Sequence, residues 1–573
     1  MVILKTQSEF GHAPPPQTPY SIISNLPGWD LTTRIRDGDT APLARLVHIY
    51  PRFAPTQFSR QLGEEVMRVL GVEGQGKGVF LYLNPEMWPY TRRHATSSHH
   101  RGANAVGEGD LQVRCVDVGG HRLYAVLYEM RQTPGVMLSW GNPGLGVSIR
   151  GAEMLLRDVD GITEVKIDGD GEGDAAAAAA AALPPPTWTP ETEAHAGLKE
   201  RIVELLQRAP RDDDDKATRL LRPARDVFLY PTGMGAIFHT SNTLLAHRPG
   251  SVVVAGVVFH NTYHHLLEEV PQGWKHVGMV DGEGLDELEA WLDGEADAGR
   301  QVSYLLVEFP GNPTLASADL VRLRRLSEQH AFVLVVDDTV SGFANVDVLP
   351  LCDVLLTSLT KSFSGLADVM GGSVVLNPRS AHHAALSSLW PARHRNEFFA
   401  PDAEVLLANA RGFLPRTRIL NRNARAVADF LQSEAASDPS SPVSRVLYPS
   451  LRADRPLYDA CKTASTDELP EPGYGCLLSV DFDSADSARL FYDSCGFYPS
   501  PHLGGHVTLM FAYNMFVFGK TPEEREYFRA LGVKEESVRI SVGLEDVEDL
   551  IDTLQDALRA VKEGRQTGKG TDV

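Results

Sequence analysis

The chain has 573 residues, of which 43% are hydrophobic and 23% charged, and a formal net charge of −21. At roughly 150 residues per domain that length allows two to four domains, and the composition is that of a soluble globular protein. The acidic balance argues against nucleic acid or an anionic membrane surface as main partner, since both demand a basic face, and any anionic ligand must be held by local donors.

The N-terminal stretch "MVILKTQSEFGHAPPPQ" has neither the apolar core of a secretory signal nor an Arg-rich amphipathic pattern. No stretch approaches the ~18 apolar residues of a membrane span. Cys115, Cys352, Cys461, Cys476 and Cys495 lack CxxC spacing and fit neither a disulfide framework nor a zinc site. The expected location is the cytoplasm.

Residues 161–197 include "DGDGEGDAAAAAAAALPPPTWTPET", a low-complexity insertion with no apolar surface for a core. "RDDDDK" at 211–216 reads as a solvated acidic loop. Leu198, Ile202 and Leu205 then recur at helical spacing. Beyond them "SVVVAGVVF" (251–259), "SYLLVEF" (303–309), "FVLVVDD" (332–338) and "DVLLTSL" (353–359) alternate with helical segments such as "ADLVRLRRLSEQH". Continuous apolar runs of this kind predict buried parallel strands of an α/β sheet. From about residue 395, "GCLLSVDF" and "SVRISV" read as strands, and Val547, Leu550, Ile551, Leu554, Leu558 and Val561 as the stripe of a closing helix. The expected division is 1–160, 161–197, a large α/β domain at 198–394 and a smaller α+β domain at 395–573.

In open α/β sheets ligands bind at the carboxyl ends of the strands. There the sequence offers five features in chain order. Thr232-Gly233-Met234 opens a helix whose unpaired N–H groups form a phosphate cradle. Phe259 supplies a flat face for stacking, and Asn312 of "EFPGNPTL" a polar clamp. The acid pair of "VVDDTV" could face a pyridine nitrogen. Lys361 follows in "SLTKSFS", among Ser358, Thr360, Ser362 and Ser364. Each alone has a plain structural explanation: a tight turn, a core aromatic, an N-cap, a surface loop. Together they are the parts needed to hold pyridoxal phosphate.

"SLTK" followed by "GLADVMGG", with "VVDDT" and "TGM" upstream, resembles the Cys/Met-metabolism group of pyridoxal-phosphate enzymes of fold type I. "LPGWDLTTRIRDGD", "IYPRF", residues 389–424, "GYGCLLSVDF", "PHLGGHVTL" and "VRISVGLED" look like fungal cystathionine gamma-synthases, over roughly residues 20–565. The resemblance implies Lys361 as Schiff-base lysine and proton shuttle, and Asp337 as partner of the pyridine nitrogen. Asp338 stands where relatives often have Asn. Gly233 and Met234 would bind the phosphate by their amides, Ser358 and Thr360 by their hydroxyls. Asn312 would contact the ring hydroxyl or substrate, and Arg539 the substrate α-carboxylate, a task suited to the guanidinium fork.

In relatives a Tyr-x-Arg motif reaches the phosphate from the neighbouring subunit. "GVSIRGAE" offers Arg150 and "YTR" offers Arg92, of which Arg150 fits the fungal pattern better. Residues 1–160 would then be an N-terminal extension with an oligomerisation arm, and the protein a homodimer or homotetramer. Two departures stand out: Phe259 replaces a common Tyr, and His502 replaces the Ser of "SLGG", beside the lysine and the substrate. The implied reaction is a γ-replacement on O-acetyl-L-homoserine, with cysteine or with another nucleophile in secondary metabolism. A γ- or β-lyase and a non-catalytic scaffold are further alternatives.

Overall fold

The computed structural model describes residues 2–51, 53–97, 106–167, 183–210, 218–268, 270, 272–437, 439–518 and 521–566. The expected acidic loop at 211–216 and the centre of the expected insertion, 168–182, lie outside the described residues.

A seven-stranded sheet forms the centre. Its strands are β5 (Val227–Tyr230), β6 (Ser251–Ala255), β7 (Trp274–Val277), β8 (Val302–Glu308), β9 (Val333–Asp337), β10 (Val354–Thr357) and β11 (Gly372–Leu376), in the order β5-β11-β10-β9-β8-β6-β7. The pairs from β10 through β9, β8 and β6 to β7 are parallel, and β11 runs antiparallel to β10 and β5. Every residue of β6, β8 and β9 is buried, so helices cover both faces and the strands carry unbroken apolar runs. The strands β5, β7 and β11 were not anticipated; β5 and β7 lie at the two edges of the sheet.

The N-terminal third differs from a simple extension. Strands β1 (Lys77–Tyr82), β2 (Leu111–Val118), β3 (His121–Glu129) and β4 (Thr163–Val165) form an antiparallel sheet of order β1-β3-β2-β4. The expected insertion is correspondingly narrower at both ends. Strand β4 pairs with β2, and the proline segment is docked on β3. There Tyr124 Oη donates to the Pro184 carbonyl at 2.5 Å and Arg122 Nη1 to the Pro185 carbonyl at 2.9 Å. The helix expected around residues 198–207 begins earlier, at Glu193.

The C-terminal sheet has the order β12-β13-β16-β15-β14, from β12 (Val443–Leu447), β13 (Leu477–Phe482), β14 (Tyr498–Pro499), β15 (Leu509–Phe511) and β16 (Ser537–Ser541). The closing helix Val547–Gln566 buries Leu550, Leu554, Leu558 and Val561, most of the expected stripe. The start of the chain lies along this domain: Leu26 N donates to the Pro499 carbonyl and Trp29 N to Asp493 Oδ1, both at 2.8 Å. That course carries Tyr50 to the carboxyl ends of the central strands.

Candidate active site

One pocket lies at those strand ends, and Gly233, Met234, Phe259, Asn312, Asp337, Ser358, Thr360, Lys361 and Arg539 all line it. Thr232 caps the helix Gly233–His247, accepting from Gly235 N at 2.8 Å, which leaves the first amides of the helix pointing into the pocket mouth. A Cβ on Gly233 would stand 2.7 Å from Ser358 Cβ and 2.8 Å from its Oγ. Helix start and hydroxyl therefore close a cradle that only glycine permits. Thr360 lines the same wall, but its hydroxyl donates to the Gly371 carbonyl and accepts from Gly371 N. Of the two hydroxyls, Ser358 is the one beside the helix start.

Strand alternation sorts the acid pair. Asp337 faces the pocket, with Oδ1 accepting from Thr339 N at 2.9 Å. Asp338 turns into the sheet, where Thr357 Oγ1 donates to it at 2.6 Å. Beside Asp337 in register stands Glu308, whose two oxygens accept from Phe259 N at 2.7 Å and Asn312 N at 3.1 Å. Burial pushes both Glu308 and Asp337 upward, and Glu308 is pushed further by the charge of Asp337. A protonated ring nitrogen is the counter-charge this corner calls for, so the residues present fit pyridoxal phosphate.

Arg539 is buried on β16 and fixed on three sides. Its Nη1 donates to Asn312 Oδ1 at 3.0 Å, its Nη2 to the Pro501 carbonyl at 2.6 Å, and its guanidinium lies 3.8 Å from the Tyr513 ring centroid. Asn312 thus orients the arginine as well as bordering the pocket.

Two expected residues are placed differently. His502 does not line the pocket, although Pro501 and Leu503 do; the imidazole is turned behind Lys361, with Nδ1 3.4 Å from the lysine Nζ. Arg150 sits in the first turn of the helix Ile149–Leu156 and does not line the pocket of its own chain. It donates to the Asp368 carbonyl at 2.6 Å, lies 3.6 Å from Asp402, and stacks 4.1 Å from the Tyr20 ring centroid. Within its own chain Arg150 is thus held by Asp368, Asp402 and the Tyr20 ring. Arg92, the other option, pairs with Glu108 at 2.9 Å.

Sequence reasoning missed Tyr50, Glu308 and Thr339. Tyr50 Oη lies 3.5 Å from Lys361 Nζ, and the signal was available: Tyr50-Pro51-Arg52 is itself a Tyr-x-Arg. Tyr50 and Pro51 line the pocket; Arg52 is outside the described residues.

A mostly parallel sheet with a lysine, a buried acid and a helix-start cradle at its carboxyl end defines a pyridoxal-phosphate enzyme of fold type I. The chain belongs to the Cys/Met metabolism PLP-dependent enzymes, whose family model matches residues 213–559. It is 35% identical over 452 residues to the alanine racemase ungC of Aspergillus violaceofuscus, covering 77% of this chain and 74% of that one. To the cystathionine gamma-synthase-like enzyme iboG1 of Amanita muscaria it is 31% identical over 606 residues, covering 97% and 98%. The fold is also that of cystathionine gamma synthase from Xanthomonas oryzae, with TM-score 0.50 and 23% identity over 65% of this chain and 100% of that one. Pyridoxal phosphate is the family's cofactor. Among the described residues no helix is long and apolar enough to cross a membrane.

Proposed function

We propose that the chain performs a cytoplasmic γ-replacement on an activated L-homoserine, O-acetyl-L-homoserine in the first instance, with a thiol or another nucleophile. The observation that carries this reading is the meeting of a fixed arginine, Arg539, with Lys361 and Asp337 in one pocket. Bound pyridoxal phosphate supplies the electron sink for charge released at the substrate's α-carbon. Arg539 holds the α-carboxylate bidentately, Asp337 keeps the ring nitrogen charged, and Lys361 carries protons between the α- and β-carbons. Phe259 offers a stacking face but no phenol, so proton handling falls on Lys361 and the groups around it.

The nature of the nucleophile is read from the wall. Lys361 and Arg539 are its only cations among the described residues, while Ile22, Trp140, Val147, Ile149, Met370 and Leu503 are apolar. Cysteine would bring a second carboxylate with no second clamp. This favours the specialised form of the reaction, with a nucleophile that carries no carboxylate. Incubating the holoenzyme with O-acetyl-L-homoserine and a panel of thiols and carbon acids, read by mass spectrometry, tests it. Adducts with uncharged nucleophiles at higher rates than cystathionine are expected; cystathionine as the dominant product would reverse the assignment.

The relative named alanine racemase supports a second reading, α-proton exchange without loss of a γ-group. Deuterium incorporation into L-alanine in heavy water, with no γ-product from O-acetyl-L-homoserine, would select it.

A further inference from the structure

Behind Lys361 the structure holds an imidazole that the family reaction leaves unused. His502 is 1% exposed, its Nδ1 lies 3.4 Å from Lys361 Nζ, and its Nε2 is buried with no hydrogen-bond partner among the described residues. Its loop is pinned from three sides. Ser500 N donates to the Met510 carbonyl at 2.8 Å, Arg539 Nη2 to the Pro501 carbonyl at 2.6 Å, and Gly504 N to Ser541 Oγ at 2.8 Å. Gly504 has φ +74°, and a Cβ there would stand 2.4 Å from Ser362 N, so glycine lets this loop close directly onto the lysine loop. The imidazole is delivered to Nζ by construction.

We propose that His502 is a positioning residue that governs the proton on Lys361: its Nδ1 accepts a hydrogen bond from the ε-ammonium whenever that amine is free, steadying the charged form. The proposal rests on the reading of Lys361 as the cofactor-binding amine. The groups facing His502 decide which partner keeps the proton. Lys361 and Arg539 present positive charge, His506 lies on the same loop, and the Tyr50 ring stands edge-on at 6.2 Å. Across the pocket, Glu308 and Asp337 are engaged by the amides of Phe259, Asn312 and Thr339. Burial and the adjacent cations hold the imidazole well below its ordinary value, so it stays neutral and acts as an acceptor. Without that acceptor, an ammonium in a dry pocket beside Arg539 would shed its proton at lower pH. His502 therefore makes Lys361 a stronger base for substrate protons, at the cost of slower reaction of the free amine with an aldehyde near neutrality.

The test uses the full-length apo protein and free pyridoxal phosphate. Capture of the aldehyde requires a neutral Lys361, so the pH midpoint of the capture rate reports the lysine's own titration. His502→Leu, which removes the acceptor at similar volume, should move that midpoint down by about one pH unit, the size of one charge-assisted hydrogen bond. His502→Asn, which retains an acceptor, should restore most of the shift. His502→Ala replaces the leucine variant if that one does not fold. An unmoved midpoint in the acceptor-less variant overturns the proposal, and so does an equal shift in the asparagine variant. Lys361→Ala is the control that separates the two readings: if it captures cofactor like wild type, the lysine assignment fails, whatever His502 does.

Discussion

Asp338→Asn isolates one buried acid directly beneath the site. Thr357 Oγ1 donates to its Oδ1 at 2.6 Å, while Oδ2 is buried with no partner among the described residues. Burial, opposed by the Thr357 hydrogen bond and reinforced by Asp337, pushes the carboxyl from 3.8 to about 8. In the unfolded chain it titrates near its ordinary value, so between about pH 4 and pH 8 the folded protein holds a proton that the unfolded chain has lost. Stability from this group is thus fully present below the unfolded value and is lost as pH rises through the folded one. At 1.36 kcal/mol per pKa unit the whole shift is worth about 6 kcal/mol, and relaxation around the charged form brings the expected loss to a few. Asparagine keeps the acceptor for Thr357 and has no proton to lose. The variant should match wild type below about pH 4, pull ahead as pH rises between about 4 and 8, and exceed it by roughly 2–5 kcal/mol at pH 9. Urea unfolding of both apo proteins at a series of pH values measures this. Parallel curves from pH 5 to 9 would refute the reasoning.

Lys361→Ala should abolish the visible cofactor band that borohydride bleaches, together with turnover; a retained, borohydride-sensitive band would place the amine elsewhere. Arg539→Lys should weaken amino-acid binding tenfold or more with the cofactor spectrum unchanged, because a point charge cannot reproduce two parallel bonds to a carboxylate, and unaltered substrate affinity would remove Arg539 from that role. Deleting residues 170–181 should leave melting and activity unchanged, since Ile167 and Leu183 pack in one apolar cluster and a short link can join them. Extending the deletion through Thr187 should destabilise by removing the segment docked on Tyr124 and Arg122. If Tyr50-Pro51-Arg52 supplies the phosphate cation, Arg52→Ala should lower pyridoxal-phosphate affinity and Arg150→Ala should lower stability instead. The protein should be the expected homodimer or homotetramer, and light scattering that finds a monomer with tightly held cofactor would defeat that expectation.

How much of this was legible in the sequence depends on how local each signal is. Strands β6, β8, β9 and β10 are buried on both faces, so their apolar runs need no partner to be recognised. The residues at their ends, Phe259, Asn312, Asp337 and Lys361, inherit that legibility, because a strand end in an α/β sheet is already a ligand site. Glu308 was passed over although it ends the same kind of strand. A lone acid beside a proline-rich turn carries no pattern; its importance comes from standing in register with Asp337 across the sheet. His502 was placed beside the lysine, but whether it faced pocket or lysine was set by Gly504 and Ser541, which no spacing rule connects.

The choice among arginines shows where sequence spacing stops being informative. "YTR", "SIR" and "YPR" all present an arginine two residues after a tyrosine or a serine, and short-range pattern ranks them almost equally. Their surroundings do not. Arg92 is in a helix with Glu108 at hand, and Arg150 has Asp368, Asp402 and a tyrosine ring, so moving either one to a phosphate would strand carboxylates, those of Arg150 being largely buried. Tyr50 is the only tyrosine of the three stretches that meets Lys361, across 311 residues of chain. It arrives there because the N-terminal segment is stitched to the C-terminal domain through Pro499 and Asp493. Tyr50 thus reaches Lys361 by a long-range hydrogen-bonded path, and a substitution that loosens that path, such as Asp493→Ala, should weaken cofactor retention without touching a single pocket residue.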